Sequence, residues 1–342
     1  MLRFKKYTSI ENTFDKDFME KIRLEGLDKQ EFVVQEKVHG SNFCFVTDGT
    51  TVSAGKRTGF IEPDEKFYDY EELLEAYKQR ITALFSAVKA KYPDTQTLSV
   101  FGEMFGGKYP HPEVKNDKHT MLIQKGVYYC PQHEFYAFDL YVNNSETGCF
   151  LSVDEANELF EQGGFFYAKS LFRGSFNDCL QYPNEFPSQI SVWLGLPPID
   201  GNICEGVVIR PVLPCYLRNG SRVLLKSKNA RFAEKKSIKK RAPKLFAEPT
   251  YSAELNALLP VTEEYVTENR LNNVISHIGQ ISLPRDAGKL IGLFSKDILD
   301  DFLKEHSGEY AAIEKSEQKI LNRHVNMKAT ELIKKIHFQI SY

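Results

Sequence analysis

The first two-thirds of the chain alternate short apolar runs, rich in β-branched and aromatic residues, with polar turns. Residues 32–38 (FVVQEKV) and 42–48 (NFCFVTD) have this composition, which is typical of strands. The Asp48-Gly49 turn then leads into residues 51–57 (TVSAGKR), and this order predicts a β-hairpin. Four further segments predict strands in the same way: 98–106, 134–142, 203–211 and 222–229.

A helix is predicted over residues 70–90, because apolar residues recur there at helical spacing. They form one stripe of Leu73, Leu74, Tyr77, Ile81, Leu84, Phe85 and Val88. Strands that are separated by helices and long loops favour an α+β domain with antiparallel sheets over a doubly wound fold.

Beyond Pro249 the apolar pattern becomes helical, first over 252–279, then over 285–306, and then in a long stretch through residue 340. The chain is long enough for two or three domains. We therefore predict an α+β domain followed by a basic linker and a small all-helical domain. Their expected bounds are 1–233, 234–248 and 249–342.

Charge changes this picture at one place. A net charge of −2 over 342 residues gives no overall field that would attract nucleic acid, so such a partner must be met by a local patch. Residues 222–244 hold ten Lys or Arg against one Glu. A run of this kind is usually a solvated linker. For residues 235–244 a solvated linker and a contact to a nucleic-acid backbone both stay open.

The six cysteines, at positions 44, 130, 149, 179, 204 and 215, form no CxxC pair and no zinc spacing, which favours free thiols in a reducing compartment. No segment has the length of a signal peptide core or of a membrane span. We expect a soluble protein without a membrane partner, in the cytoplasm or another intracellular compartment, including that of a virus-infected cell.

Lys37 is the first candidate for chemistry. It lies inside the predicted strand 32–38 and is followed by the polar turn of His39, Gly40, Ser41 and Asn42. A lone lysine in a strand is usually a surface charge, whereas a lysine nucleophile needs deprotonation and positive charge around the phosphate it attacks.

Other predicted strands carry residues that would serve such a lysine. Arg57 lies at a strand end, and alternation places Lys226 and Lys228 on one strand face. Glu103 and Glu205 stand where strands turn and suit a ribose hydroxyl or a divalent cation, although ordinary strand-end carboxylates look the same.

Three further positions, Phe138, Asp139 and His39, have competing interpretations. Phe138 would stack on a base or belong to the core, and Asp139 beside it is interpreted as a structural carboxylate. His39 is either part of the site or a hydrogen-bonded turn residue.

The order of EKVHGSN, KRTG, FGE, YAFDL, EGVVIRP and LLKSKN along the chain resembles the six motifs of the covalent nucleotidyltransferase superfamily of ligases and mRNA capping enzymes. The histidine in KVHGSN is similar to the histidine that RNA ligases have at this place in the motif. The flanking segments resemble the RNA ligase 2 type, which seals nicks; they are FKKYTSIEN, SAGKRTG, LRNGSRVLLKSKNARFAEKK and ENRLNNVISHIG. The resemblance is greatest to the bacteriophage form, since that form also has a small helical C-terminal domain. The resemblance spans residues 4 to about 303.

The resemblance implies a role for each matching residue. Lys37 would form the lysyl-AMP, with Glu36, His39 and Asn42 lining the nucleotide site. Arg57 would contact the ribose or α-phosphate, Glu103 the ribose hydroxyls, and Phe138 the adenine. Glu205 would hold the metal, and Lys226 and Lys228 the α-phosphate. In the helical domain the resemblance implies RNA-binding positions at Arg270, Asp297 and Asp301, the last of which stands where the family pattern has Glu.

The activity implied by the resemblance is ATP-dependent RNA ligation with Mg²⁺ or Mn²⁺. Its substrate would be a nick with a 3′-OH and a 5′-phosphate in duplex RNA or an RNA/DNA hybrid, joined by way of lysyl-AMP and an adenylylated 5′ end. A monomer is expected. Two alternatives stay open: a capping-type guanylyltransferase, and a non-catalytic RNA-binding protein on a ligase scaffold.

Overall fold

The structure is a computed structural model that describes residues 2–144, 147–232, 251–279, 281 and 286–337. It divides into two units, residues 1–231 and 232–342. The predicted linker 234–248, with its basic stretch 235–244, lies outside the described residues.

Two sheets build the first unit. One has five strands in the order β1-β11-β10-β2-β9: β1 Glu11–Asn12, β2 Phe32–Lys37, β9 Ser170–Gly174, β10 Gly206–Pro211 and β11 Leu225–Lys228. The other has six strands in the order β5-β4-β3-β6-β7-β8: β3 Ser41–Thr47, β4 Val52–Lys56, β5 Gly59–Phe60, β6 Thr97–Gly106, β7 His133–Asn143 and β8 Gly148–Phe150.

The strand pairs confirm the predicted α+β class with one departure. The six-stranded sheet is antiparallel throughout, but β1 pairs with β11 in parallel. The first unit also holds five α-helices among its described residues, at α1 Lys16–Leu24, α2 Tyr70–Lys91, α3 Val153–Gln162, α4 Phe176–Leu180 and α5 Ile190–Trp193.

The predicted apolar stripe of α2 packs on the six-stranded sheet and forms the largest core. Phe45 on β3 lies between Tyr77 of α2 and Phe135 of β7, with ring centroids 5.6 and 4.9 Å away. Burying each such ring contributes about 1.5–3 kcal/mol, so this core holds β3, which follows the HGSN turn, against β6 and β7.

The second unit is helical, as its periodicity predicts. Its described helices are α6 Ala253–Glu264, α7 Glu268–Ile278, α8 Ala287–Ala312 and α9 Lys315–His337. Ser252 and Thr267 cap α6 and α7, each accepting a hydrogen bond from the third backbone N–H that follows it, which satisfies an otherwise unpaired donor. The predicted end of a helix at residue 306 coincides with non-helical backbone at His306 inside α8.

A separate apolar core joins these four helices, with Leu271, Phe294, Ile298 and Leu321 fully buried. None of the described helices is long and apolar enough to cross a membrane.

Candidate active site

Three neighbouring strands bring the central residues of the site together. Lys37, the last residue of β2, pairs with Gly206 at the start of β10, and Gly206 pairs with Lys228 of β11. Gly206 has φ +148°, and a Cβ there would lie 2.1 Å from the carbonyl oxygen of Ser227. Only glycine permits this backbone and this approach, so Gly206 lets β11 lie close against β10 beside Glu205.

Glu205 is the buried centre of the site. Its Oε2 lies 2.7 Å from Lys37 Nζ, and its Oε1 lies 2.9 Å from Lys228 Nζ. His39 Nδ1 is 3.5 Å from Oε2. Burial alone would raise the pKa of the Glu205 carboxyl, but Lys228, Lys37 and His39 together hold it well below the usual value.

This electrostatic arrangement limits what Glu205 can do. A carboxyl with so low a pKa is a weak proton acceptor, so Glu205 is suited to hold positive charge in place and not to remove the proton of Lys37. Lys37 keeps 17% of its side chain exposed while Glu205 has none. The Lys37 side chain is therefore partly exposed, whereas the carboxylate behind it is covered.

The HGSN turn is held by side chains from distant parts of the chain. The backbone N–H of His39 donates to the Tyr129 hydroxyl at 2.8 Å, and Gln124 Nε2 donates to the carbonyl of Gly40 at 3.1 Å. A Cβ on Gly40 would lie 2.3 Å from the carbonyl oxygen of Met104, so the turn lies directly on β6. Tyr129 and Gln124 escaped prediction because they belong to the irregular connection between β6 and β7, which carries no periodic signal.

Glu103 joins the same site from β6. Its Oε1 accepts a hydrogen bond from the N–H of Gly40 at 3.2 Å, and it pairs with Asn42 across the β3–β6 ladder. Burial raises the pKa of Glu103 to about 7; Lys37 and Arg57 lower it while Glu205 raises it. These mutual effects place Arg57 and Glu103 within electrostatic reach of the Lys37 centre.

Glu36 is the buried neighbour of Lys37 on β2. Strand alternation turns it to the face opposite Lys37, and it is 1% exposed. Its carboxylate accepts hydrogen bonds from Ser188 Oγ at 2.6 Å and from the N–H of Gln189 at 2.8 Å. Burial raises its pKa to about 7 against the lowering effect of these bonds. Its carboxylate thus anchors the segment at Ser188 and Gln189, and its expected place in the nucleotide site stays a prediction.

Phe138 on β7 is half-buried, with its ring centroid 5.1 Å from that of Tyr7. Its carbonyl oxygen accepts a hydrogen bond from Arg210 Nη1 at 3.0 Å. Arg210 and Arg222 both bind the buried Asp139, at 2.8 and 2.6 Å. The two arginines outweigh burial and lower the pKa of Asp139. Asp139 is therefore engaged in a buried cluster of ion pairs that fixes the strand carrying Phe138, as expected of a structural carboxylate.

The C-terminal candidates form a cluster of their own inside the second unit. Arg270 on α7 is 3% exposed, and its Nη1 lies 2.7 Å from Asp297 Oδ2 and 2.8 Å from Asp301 Oδ2 on α8. The charge of Arg270 thus joins two helices, and the expected RNA contact of these three residues stays a prediction.

Lys226 is half-buried on β11, two residues before Lys228, so alternation places both on one face. Among the residues that the structure describes, no group of three or more His, Cys, Asp or Glu side chains could hold a metal ion. Glu205 is the buried carboxylate nearest to Lys37.

Comparison with known proteins identifies the kind of protein that has this site. The family model described as RNA ligase matches residues 30–228, and the model described as T4 RNA ligase 2 C-terminal matches residues 249–331. RNA-editing ligase 1, mitochondrial, of Trypanosoma brucei brucei is 31% identical over 335 residues, covering 82% of this chain and 71% of the relative. RNA-editing ligase 2, mitochondrial, of the same organism is 28% identical over 380 residues, covering 96% and 90%.

A solved structure of Naegleria gruberi RNA ligase with PPi is a more distant likeness, at 14% identity and a TM-score of 0.41. It covers 67% of this chain, which spans 57% of that structure's length. The family models and the sequence relatives carry the assignment: the chain belongs to the RNA ligase 2 family of ATP-dependent RNA ligases.

Proposed function

We propose that this ATP-dependent RNA ligase seals nicks with a 3′-OH and a 5′-phosphate in duplex RNA or in an RNA/DNA hybrid, through a lysyl-AMP at Lys37. One observation carries the proposal: Lys37, Lys228 and His39 converge on the buried carboxylate of Glu205 at 2.7, 2.9 and 3.5 Å. A partly exposed amine in such a positive environment has the placement that phosphate attack requires.

Three transfers make up the reaction. The neutral Lys37 Nζ attacks the α-phosphorus of ATP, and a P–N bond forms as the nitrogen gives up a proton to solvent. Pyrophosphate leaves with the electron pair of the broken P–O bond. An oxygen of the RNA 5′-phosphate then attacks the same phosphorus, the P–N bond breaks, and Lys37 regains a proton. Finally the 3′-OH loses its proton as its oxygen attacks the 5′-phosphate, and AMP leaves.

The residues of the site have separate parts in these transfers. Lys226 and Lys228 hold the α-phosphate and offset the negative charge that develops on it, which is worth most in a site that excludes water. Glu205 fixes Lys228 and Lys37 relative to each other. Tyr129 and Gln124 keep the turn after Lys37 rigid, so that the amine needs little rearrangement to reach its target.

A divalent ion fits this site only if the phosphates of the nucleotide supply some of its ligands. The described residues form no all-protein metal cage, and Glu205 is a single carboxylate between two ammonium groups. Mg²⁺ commonly takes one or two carboxylates and completes its shell with phosphates and water, so Glu205 fits as its protein ligand. The ion would supply charge neutralisation on the phosphates.

The two lysines of β11 yield the first prediction. Lys228→Ala or Lys226→Ala is expected to leave the protein folded and to slow lysyl-AMP formation by about 10²–10³-fold, since each removes a charge-assisted contact to the transition state. Labelling by radioactive ATP measures the rate, and a thermal melt reports the fold. Lys21→Ala, which changes an exposed lysine on α1, is the matched control. Near-parental labelling in either variant with an unchanged melt would refute the assignment.

Nucleotide and substrate choice test the proposed activity itself. The parent protein is expected to take label from ATP and not from GTP, which separates it from a capping-type guanylyltransferase and from a non-catalytic scaffold. It is then expected to join a nick in duplex RNA faster than the same two ends free in solution. Labelling by GTP alone, or equal joining of nicked and single-stranded ends, would contradict the proposal.

The cysteines are the basis for proposing the compartment in which the protein acts. All six are free, and four of them are buried, which fits a reducing compartment inside a cell or an infected cell. We propose that the ligase acts there as a monomer.

A further inference from the structure

One face of α9 is basic and exposed. Lys315, Lys319, Arg323 and Lys334 are all exposed and lie within about 100° of arc around the helix axis. We call these four residues the α9 basic face. The first three follow at intervals of four residues, so their side chains stand about 5–6 Å apart on consecutive turns.

The acidic residues of α9 point elsewhere and are already engaged. Glu317 accepts hydrogen bonds at 2.9 Å from both the N–H and the hydroxyl of Ser252, the residue that caps α6. Glu331 lies 3.7 Å from Lys328. No carboxylate of α9 therefore falls within the arc of the basic face.

The buried apolar residues of α9 determine which side of the helix faces the core and so leave the basic face exposed. Leu321, Val325 and Ala329 lie outside the arc of the basic face and are buried in the core of the second unit. Basic residues at the flank of the helix have partners: His324 and Lys328 lie 2.9 and 3.3 Å from Glu263 of α6. Within the described part of the chain, by contrast, no ion pair is seen for the four residues of the basic face.

We propose that the α9 basic face binds the phosphate backbone of duplex RNA outside the nick, a proposal that rests on the duplex substrate of the proposed function. A row of cations without carboxylates complements a strand of phosphates, and such contacts position a duplex without reading its sequence. Asn326 and Thr330 lie within the same arc and add hydrogen-bonding groups.

A membrane surface fits the face less well. Met327, at the margin of the arc, is the one large apolar side chain exposed there among the described residues, whereas a membrane-bound helix presents a broad apolar face. Because the protein carries a net charge of −2, its attraction to RNA must come from local patches of this kind.

The test compares two triple variants that change charge equally. Lys315→Gln, Lys319→Gln and Arg323→Gln remove three consecutive cations from the basic face. Lys289→Gln, Lys296→Gln and Lys335→Gln remove three exposed lysines of the same unit that lie outside it. The probe is a labelled, intact RNA duplex of about two helical turns, titrated with full-length protein over a range of salt concentrations.

We expect the basic-face triple to lose about tenfold or more of its duplex affinity at moderate salt. The slope of log affinity against log salt should shrink by roughly 2–3, since each phosphate contact contributes a little under one unit. Lysyl-AMP formation and the thermal melt should match the parent. The charge-keeping triple Lys315→Arg, Lys319→Arg and Arg323→Lys should bind as the parent does.

Three outcomes overturn the inference: parental affinity in the basic-face triple, an equal loss in the control triple, or a parent that does not bind duplex RNA. Failure of the proposed function looks different. A parent that binds the intact duplex through these residues but does not join nicks refutes nick sealing and leaves the α9 basic face standing.

Discussion

Replacing Lys37 with arginine or alanine is expected to abolish the formation of an acid-labile, alkali-stable adenylate on the protein, a loss of about 10⁴-fold or more. Alanine has no amine, and the guanidinium of arginine stays protonated at any working pH. Arginine nevertheless keeps a positive charge beside Glu205, so its variant should melt close to the parent. Labelling with radioactive ATP, followed by acid and alkali treatment, measures the adenylate.

A second substrate separates loss of the nucleophile from loss of the site. A nick whose 5′ end is already adenylylated needs no lysyl-AMP, so Lys37→Arg should still join it at a measurable rate. Glu205→Gln, which removes the charge that both lysines share, should impair joining of both substrates. Uptake of label by the arginine variant would show that another residue is the nucleophile.

The strands around Lys37 could be predicted to within a residue or two at most ends because each combines β-branched residues with an abrupt polar turn. Phe32–Lys37 and Ser41–Thr47 match segments predicted at 32–38 and 42–48. β9 was missed for the opposite reason. Its residues Ser170–Gly174 are exposed or half-buried, so no alternation of apolar and polar positions marks it as a strand.

At the site, the local pattern of the sequence predicts some side-chain positions and not others. Alternation predicts that Lys226 and Lys228 share a face, because that depends on the strand alone. It cannot predict that the hydroxyl of Ser188, far along the chain, donates a hydrogen bond to the carboxylate of Glu36. Nor can it predict that the Tyr129 hydroxyl accepts one from the N–H of His39. Such partners are set by how loops pack, and no local pattern in the sequence marks them.

The two units are expected to divide the reaction between them. A chain that ends near residue 245 should form lysyl-AMP within a few-fold of the parent, because the six motifs end by Asn229 and the first unit has its own core. The same chain should fail to join a nicked RNA duplex, since it lacks the helical unit. Separate assays of adenylylation and joining decide the matter, and equal loss of both would contradict it.

Arg270 tests the helical unit by single substitutions. Arg270→Ala leaves the partly exposed Asp297 and Asp301 facing each other without their shared cation, and losing such charge-assisted hydrogen bonds costs about 1.5–3 kcal/mol. We expect this variant to lower the melting temperature of the helical unit and to lose joining, while lysyl-AMP formation stays within a few-fold.

Arg270→Lys is the matched control, because it keeps the charge but not the planar guanidinium. If Arg270 acts by joining α7 to α8, stability and joining should recover together in the lysine variant, each in part. Full recovery of the melt without recovery of joining would instead mean that the guanidinium itself contacts the RNA. A fall in lysyl-AMP formation equal to the fall in joining would refute a role that begins after the enzyme is charged.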